Sequence, residues 1–274
     1  MIPSRHSPAS SPNRLLAPAE AGSDQSNLAW LRSGRLRRGI LLLGGTSLAD
    51  FRVRVGQSGL RSDLSPSYWS LCGLLLDAEG TFLSVPLQLL DVSAVPQSNA
   101  VQTCRLADYD DPAHWPNIAV LSFTRESDEV TRNARLVAES RTILDLPDLV
   151  LAWLGYTWAV TGASNPLLAA RGVPSAAFVE TAHALAGVEI TPGLASAASC
   201  PEAIWQAVKW WHGYYLEAAA VTRGSSVGGS SGARPIVPRG RYAVRQRYAQ
   251  LLGPDRLAGT DPGRRTRARA ARAR

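Results

Sequence analysis

Apolar and polar positions change their rhythm about halfway along the chain. The first half is dominated by short apolar runs bounded by Gly, Pro and Asp, a strand signature. "GILLLGG" (39–45) is one such run, closed by a glycine pair. "SLCGLLLDAEGTFLSVPLQLL" (70–90) holds two runs around Asp-Ala-Glu-Gly and predicts a hairpin with a four-residue polar turn. "VQTCRLAD" (101–108) and "NIAVLSF" (117–123) complete an antiparallel set.

The second half moves to helical spacing. "ESDEVTRNARLVAESRTIL" (126–144) starts acidic and repeats Val130, Ala134, Val137 and Arg141. Helices over 147–161 and 174–186 come next. A last one, 200–219, has Ser199 as its expected cap and Pro201 in its first turn. Strands segregated from helices imply the α+β class, an antiparallel sheet or half-barrel packed with helices.

Composition sets the limits of this unit. The Ser-, Pro- and Ala-rich start predicts a disordered segment over 1–34, and the folded domain then occupies 35–220. Residues 221–274 form an expected flexible Gly/Ser/Arg-rich tail, with a linker at 222–240 and a short basic helix starting at "RYAVRQRYAQLLG". The formal charge is +7, but the last fourteen residues hold six Arg and one Asp, so the body is near neutral. The start of the chain has no apolar stretch of signal-peptide length. The longest apolar run, "LVLAWLGYTWAV" (149–160), is too short to span a bilayer and predicts a buried helix. A cytoplasmic protein without a transmembrane segment is expected.

Three cysteines (Cys72, Cys104, Cys200) and four histidines are too scattered for a zinc pattern, and no cofactor is implied. "GILLLGGTSLAD" lacks the glycine spacing and the lysine of nucleotide-binding loops. Cys72 and Cys104 fall in strand patterns, as core thiols do. Cys200 precedes a helix whose N-terminus could lower its pKa. The aromatic stretch "KWWHGYY" (209–215) suits a core anchor or a membrane interface.

Chemistry centres on "RGVPSAAFVETAHALAGVEITPGL" (171–194), which places Ser175 in the first turn of a helix. Its hydroxyl could cap that helix or attack a substrate. Attack needs a base, and His183 lies about 12 Å along the same helix, out of reach. His114 and His212 could approach only through folding.

Several segments together resemble the circularly permuted papain-like amidases and peptidases, the YiiX/YaeF group related to NlpC-type enzymes. Gly39-Ile40-Leu41-Leu42 matches the family's first strand without its Asp. Ser70-Leu71-Cys72-Gly73 matches its Ser-His-x-Gly strand, with Leu71 where the catalytic His stands. Ser84 falls near the orienting position. Ser175-Ala176-Ala177-Phe178-Val179 matches Cys-Ser-x-Leu-Val, with Ser175 in place of the nucleophilic Cys. "LAGVEITPGL" fits the end of the family's nucleophile helix, and Ser199-Cys200-Pro201 its Ser-Pro helix start, so the likeness covers about 39–215.

The resemblance implies a papain-like domain whose nucleophile and base are both replaced, a pseudo-hydrolase holding a peptide, acyl-amide or lipid-like ligand. Two alternatives stand beside it. One is an active amidase or peptidase with Ser175 as nucleophile; the other is a nucleic-acid-binding accessory protein acting through the Arg tail.

Overall fold

The computed structural model describes residues 16–18, 25–87, 98–123, 127–160, 162–224 and 239–247. The centre of the fold is a pair of strands made almost wholly of Leu, Ile, Cys and Gly. They are β2 (Gly39–Gly44) and β3 (Leu71–Leu75), antiparallel, with Leu42 opposite Cys72 and Leu43 opposite Leu71. The expected hairpin continues β3 into β4 (Thr81–Ser84), with Leu75 opposite Phe82 across the Asp-Ala-Glu-Gly turn. Asp77 Oδ1 accepts from Thr81 N (2.8 Å) and closes that turn. β5 (Gln102–Arg105) pairs with β4, and β6 (Asn117–Ser122) flanks β2 on the other side.

Two further strands come from outside the expected domain, one from the start of the chain and one from the expected tail. β7 (Arg239–Val244) lies antiparallel to β6, and β1 (Leu16–Pro18) adds to β7 in parallel. The sheet therefore runs β1-β7-β6-β2-β3-β4-β5. The boundaries at 35 and 220 are corrected accordingly, and the basic helix expected from Arg241 onward starts as a strand. The reason is alternation: Tyr242 and Val244 face one core and Ala243 faces the other, so a basic segment still has a strand's two-sided pattern. The expected linker is likewise shortened, because the last helix runs on to Gly224. The Arg tail at 261–274 lies outside the described residues.

Each face of the sheet has its own core. One face, with Ile40, Leu42, Cys72 and Leu74, is covered by α2 (Leu48–Gly56), α3 (Ser127–Glu139), α4 (Leu146–Thr157), α5 (Pro174–Ala184) and α6 (Pro201–Gly224). The other, with Leu41, Leu43, Leu71 and Phe82, is sealed by Trp30 and Leu31 of α1 (Asn27–Ser33) and by Leu106 and Tyr109. Asn27 fixes α1 by donating through Nδ2 to the carbonyls of Tyr109 (2.9 Å) and Trp115 (2.8 Å). That buried anchor is why order begins before residue 35.

α4 differs from its expectation. It buries Leu149 and Trp153, but Leu151 and Trp158 stay 69% and 76% exposed, because only one side packs on the domain. The aromatic run on α6 divides in the same way. Trp211 packs against the core, whereas Trp210 and Tyr214 stack on each other at 5.5 Å in the open. The architecture is α+β, a sheet antiparallel in all but its β1–β7 pair with helices packed on it. No described helix is long and apolar enough to cross a membrane.

Candidate functional site

The start of α5 is fixed by the loop before it. Gly172 N and Val173 N donate to the carbonyls of Ala197 (2.7 Å) and Ser199 (2.8 Å), and Trp153 Nε1 donates to Gly172 O (2.7 Å). Val173 is the N-cap residue and makes no side-chain cap. Pro174 opens the first turn, so Ser175 sits further in than a capping residue needs. Ser175 is 1% exposed, and its hydroxyl accepts from the backbone N–H of Cys72 on β3 at 3.1 Å.

That bond has a structural cause. β4 ends at Ser84 opposite Gly73, so the ladder runs out one residue before Cys72. N–H and C=O of one strand residue point to the same side. At Cys72 both groups are met by hydroxyls: Ser175 Oγ accepts from the N–H, and Ser84 Oγ donates to the carbonyl (2.5 Å). Two of the residues singled out in the sequence therefore converge on one residue's backbone and stand in for a missing strand residue. The expectation that Ser175 caps its helix is corrected. Ser84, expected near an orienting position, is committed to the strand.

Leu71 and Ser175 line one cavity at the end of the sheet, with Ser70, Asp50, Tyr109 and Trp115 around them. The cavity encloses about 30 Å³, room for one or two water molecules. The pleat separates the pair, however. Cys72 belongs to the core under α5, whereas Leu71 belongs to the opposite core with Phe82 and Tyr109. Strand alternation thus turns the residue in the expected base position away from the helix that carries Ser175.

Among the described residues, Asp50 is the one charged side chain lining the cavity, and the sequence reading missed it. It is the fourth residue of Ser47-Leu48-Ala49-Asp50, a capping-box spacing that also marks the start of the unpredicted α2. Ser47 Oγ accepts from Asp50 N (3.1 Å), and the Ser47 hydroxyl donates to Asp50 Oδ2 (2.5 Å). Burial raises the Asp50 pKa, and the Ser47 and Ser70 hydroxyls with the Arg54 charge oppose that rise. Arg54, wholly buried, spends its guanidinium on the carbonyls of Ser67 (2.6 Å) and Gly45 (3.2 Å). Gly45 leaves room for the carboxyl, since a Cβ there would collide with Asp50 and Trp115.

No histidine lines the cavity among the described residues. His114 is exposed, its Nδ1 bonded to Asp111 Oδ2 (2.5 Å). His183 is buried within α5, with Nδ1 donating to Val179 O (2.8 Å), and burial lowers its pKa to about 4. His212 lies on α6 with Nδ1 enclosed and without a partner among the described residues. All three cysteines are buried thiols; burial raises Cys104 to about 11 and Cys200 to about 12, and Cys72 also rises. Such thiols are poor nucleophiles at neutral pH. The described residues contain no cluster of three His, Cys, Asp or Glu able to hold a metal ion.

What the arrangement can do is limited by these facts. It offers two hydroxyls, one carboxyl of raised pKa and two aromatic rings around a small space. Among the described residues it lacks a base poised on Ser175. Compared with family models, curated proteins and solved structures, the chain matches none.

Proposed function

We propose that this protein is a non-catalytic member of the permuted papain-like hydrolases, a cytoplasmic binding protein. Its cavity between α2, β3 and α5 takes a peptide or acyl-amide segment. The carrying observation is the state of Ser175. Its hydroxyl is buried at the start of a helix, as a papain-like nucleophile would be, yet it is employed by the Cys72 N–H and faces no imidazole among the described residues. A serine hydroxyl attacks carbonyls only when a base takes its proton. Asp50 does not fill that role: its carboxyl already accepts from the Ser47 hydroxyl, and the bond of Ser175 goes to the Cys72 N–H.

Binding depends on the remaining wall. Ser70 and Asp50 can answer an amide's N–H, while Leu71, Val85 and Trp115 offer apolar contact to the chain beside it. The space is small, so the ligand's bulk lies outside and only one short group enters.

Isothermal titration with short peptides and N-acyl amides tests the reading, run beside a turnover assay on ester and amide reporters. Binding without turnover, lost when Ser70→Leu fills the cavity, is the expected result. Turnover abolished by Ser175→Ala would overturn it and restore a serine hydrolase.

A further inference from the structure

The strongest feature outside the cavity is electrostatic, and only the fold creates it. Residues 25–38 and 239–247 contain eight arginines and no Asp or Glu. They lie about 200 residues apart along the chain, and the sheet joins them. Arg241 Nη2 donates to Ser33 Oγ (3.1 Å), and its guanidinium lies over the Trp30 ring at 3.9 Å from the centroid. Gly34 abuts the same guanidinium so closely that a Cβ there would strike it. Further along, Arg239 pairs with Ser122, and Gly39, next to Arg38, packs on Leu121 and Ser122. Arg32, Arg35, Arg37, Arg38, Arg239 and Arg241 thereby share one edge of the domain. Among the described residues, the carboxylate that meets this group is Asp128, paired with Arg38 at 2.6 Å.

We propose that this arginine edge binds the phosphate backbone of a nucleic acid, without reading its sequence. Guanidinium groups fit phosphate oxygens with paired N–H donors. Several cations on one edge release counterions together when they meet a polyanion. A membrane surface fits less well. Among the described residues, none of the exposed large apolar side chains belongs to 25–38 or 239–247, so none there would enter a lipid layer. The edge supplies the fixed footprint, and the proposal is independent of the cavity reading.

The test is fluorescence anisotropy of a labelled DNA duplex and a labelled RNA with the full chain, from about 50 to about 200 mM salt. Arg32, Arg35 and Arg37 are exposed, and replacing all three leaves the Arg38–Asp128 pair and the Arg241–Trp30 contact in place. The triple Arg→Gln variant weakens binding at least tenfold and reduces the slope of log K against log salt by about two to three. The triple Arg→Lys variant keeps the slope, and circular dichroism reports that both variants fold. Three results each overturn the proposal: no binding to either nucleic acid at the lower salt; binding unchanged in the Gln variant; or binding confined to phosphatidylserine vesicles.

Discussion

Two pairs of helix starts treat their serines differently. At α1 and α2, Ser26 and Ser47 sit half-buried at the N-cap and accept from the N–H three residues on, Ala29 (3.2 Å) and Asp50 (3.1 Å). At α5 and α6 the serines near the helix starts are buried, and neither is spent on its own helix. Ser175 bonds to β3, and Ser199 donates to Glu180 Oε1 (3.1 Å). The acceptor at the start of α6 comes from elsewhere: Gln57 Oε1, at the end of α2, accepts from Glu202 N (2.8 Å). At a surface the nearest hydroxyl satisfies the helix end. In the interior every polar group competes for partners across the whole fold, and the local choice loses.

The sharpest way to break this contrast is Gln57→Leu. Its side chain also donates to the carbonyls of Val53 (3.0 Å) and Trp69 (2.9 Å), so the substitution strands three buried backbone groups. Urea denaturation is expected to register a loss of about 4 kcal/mol. A loss below about 1 kcal/mol would mean that the interior start of α6 is satisfied locally after all.

His183 comes next, through pH. Its pKa is lowered from 6.5 to about 4 in the fold, so the unfolded chain binds the extra proton first. Stability is then fully present above pH 6.5 and falls as pH drops towards about 4, by up to about 3 kcal/mol. Asp50, Glu180 and Glu202 have raised pKa values and act in the opposite sense. The difference between wild type and His183→Asn isolates the histidine, since Asn can still donate to Val179 O. Parallel stability curves for the two proteins from pH 7 to 4 would show that the imidazole is not desolvated.

Ser175→Ala and Ser84→Ala each cost about 1–2 kcal/mol, and their site of action distinguishes a strand bond from a helix cap. Amide hydrogen exchange is expected to quicken at Cys72 in the Ser175 variant, with the first turn of α5 unaffected. Faster exchange confined to α5 would return Ser175 to capping.

The smallest effects belong to the half-buried pair. Ser47→Ala and Ser26→Ala each lose about 1 kcal/mol or less; Asp or Asn restores the loss at 26, where the side chain only accepts, whereas at 47 Asp does not, because the native hydroxyl also donates to Asp50. At position 175 Asn is not expected to rescue, since the site is packed for a hydroxyl.

Much of the architecture was legible from periodicity. The β2 run, the β3–β4 hairpin and α3 through α6 have apolar spacing that any partner would have to cover. α2 was missed because its apolar face is weak, although Ser47-Leu48-Ala49-Asp50 carries a capping-box signal. β7 was missed because its arginines mask a two-sided pattern. In the site, Ser175, Leu71 and Ser84 were placed near one another by the resemblance, and the fold does bring them to one end of β3. What they do there was not legible. The direction of Leu71 depends on the pleat, and the bonds of Ser175 and Ser84 depend on where β4 stops.

The sequence by itself determined which segments must be buried and where most helices and strands begin, because those are properties of spacing and of neighbours within a turn. Only the tertiary structure decided which polar groups meet. It gave Ser175 to Cys72, Gln57 to α6 and the two arginine segments to each other. Buried hydrogen bonds and surface charge depend on distances across the fold, which no local pattern encodes.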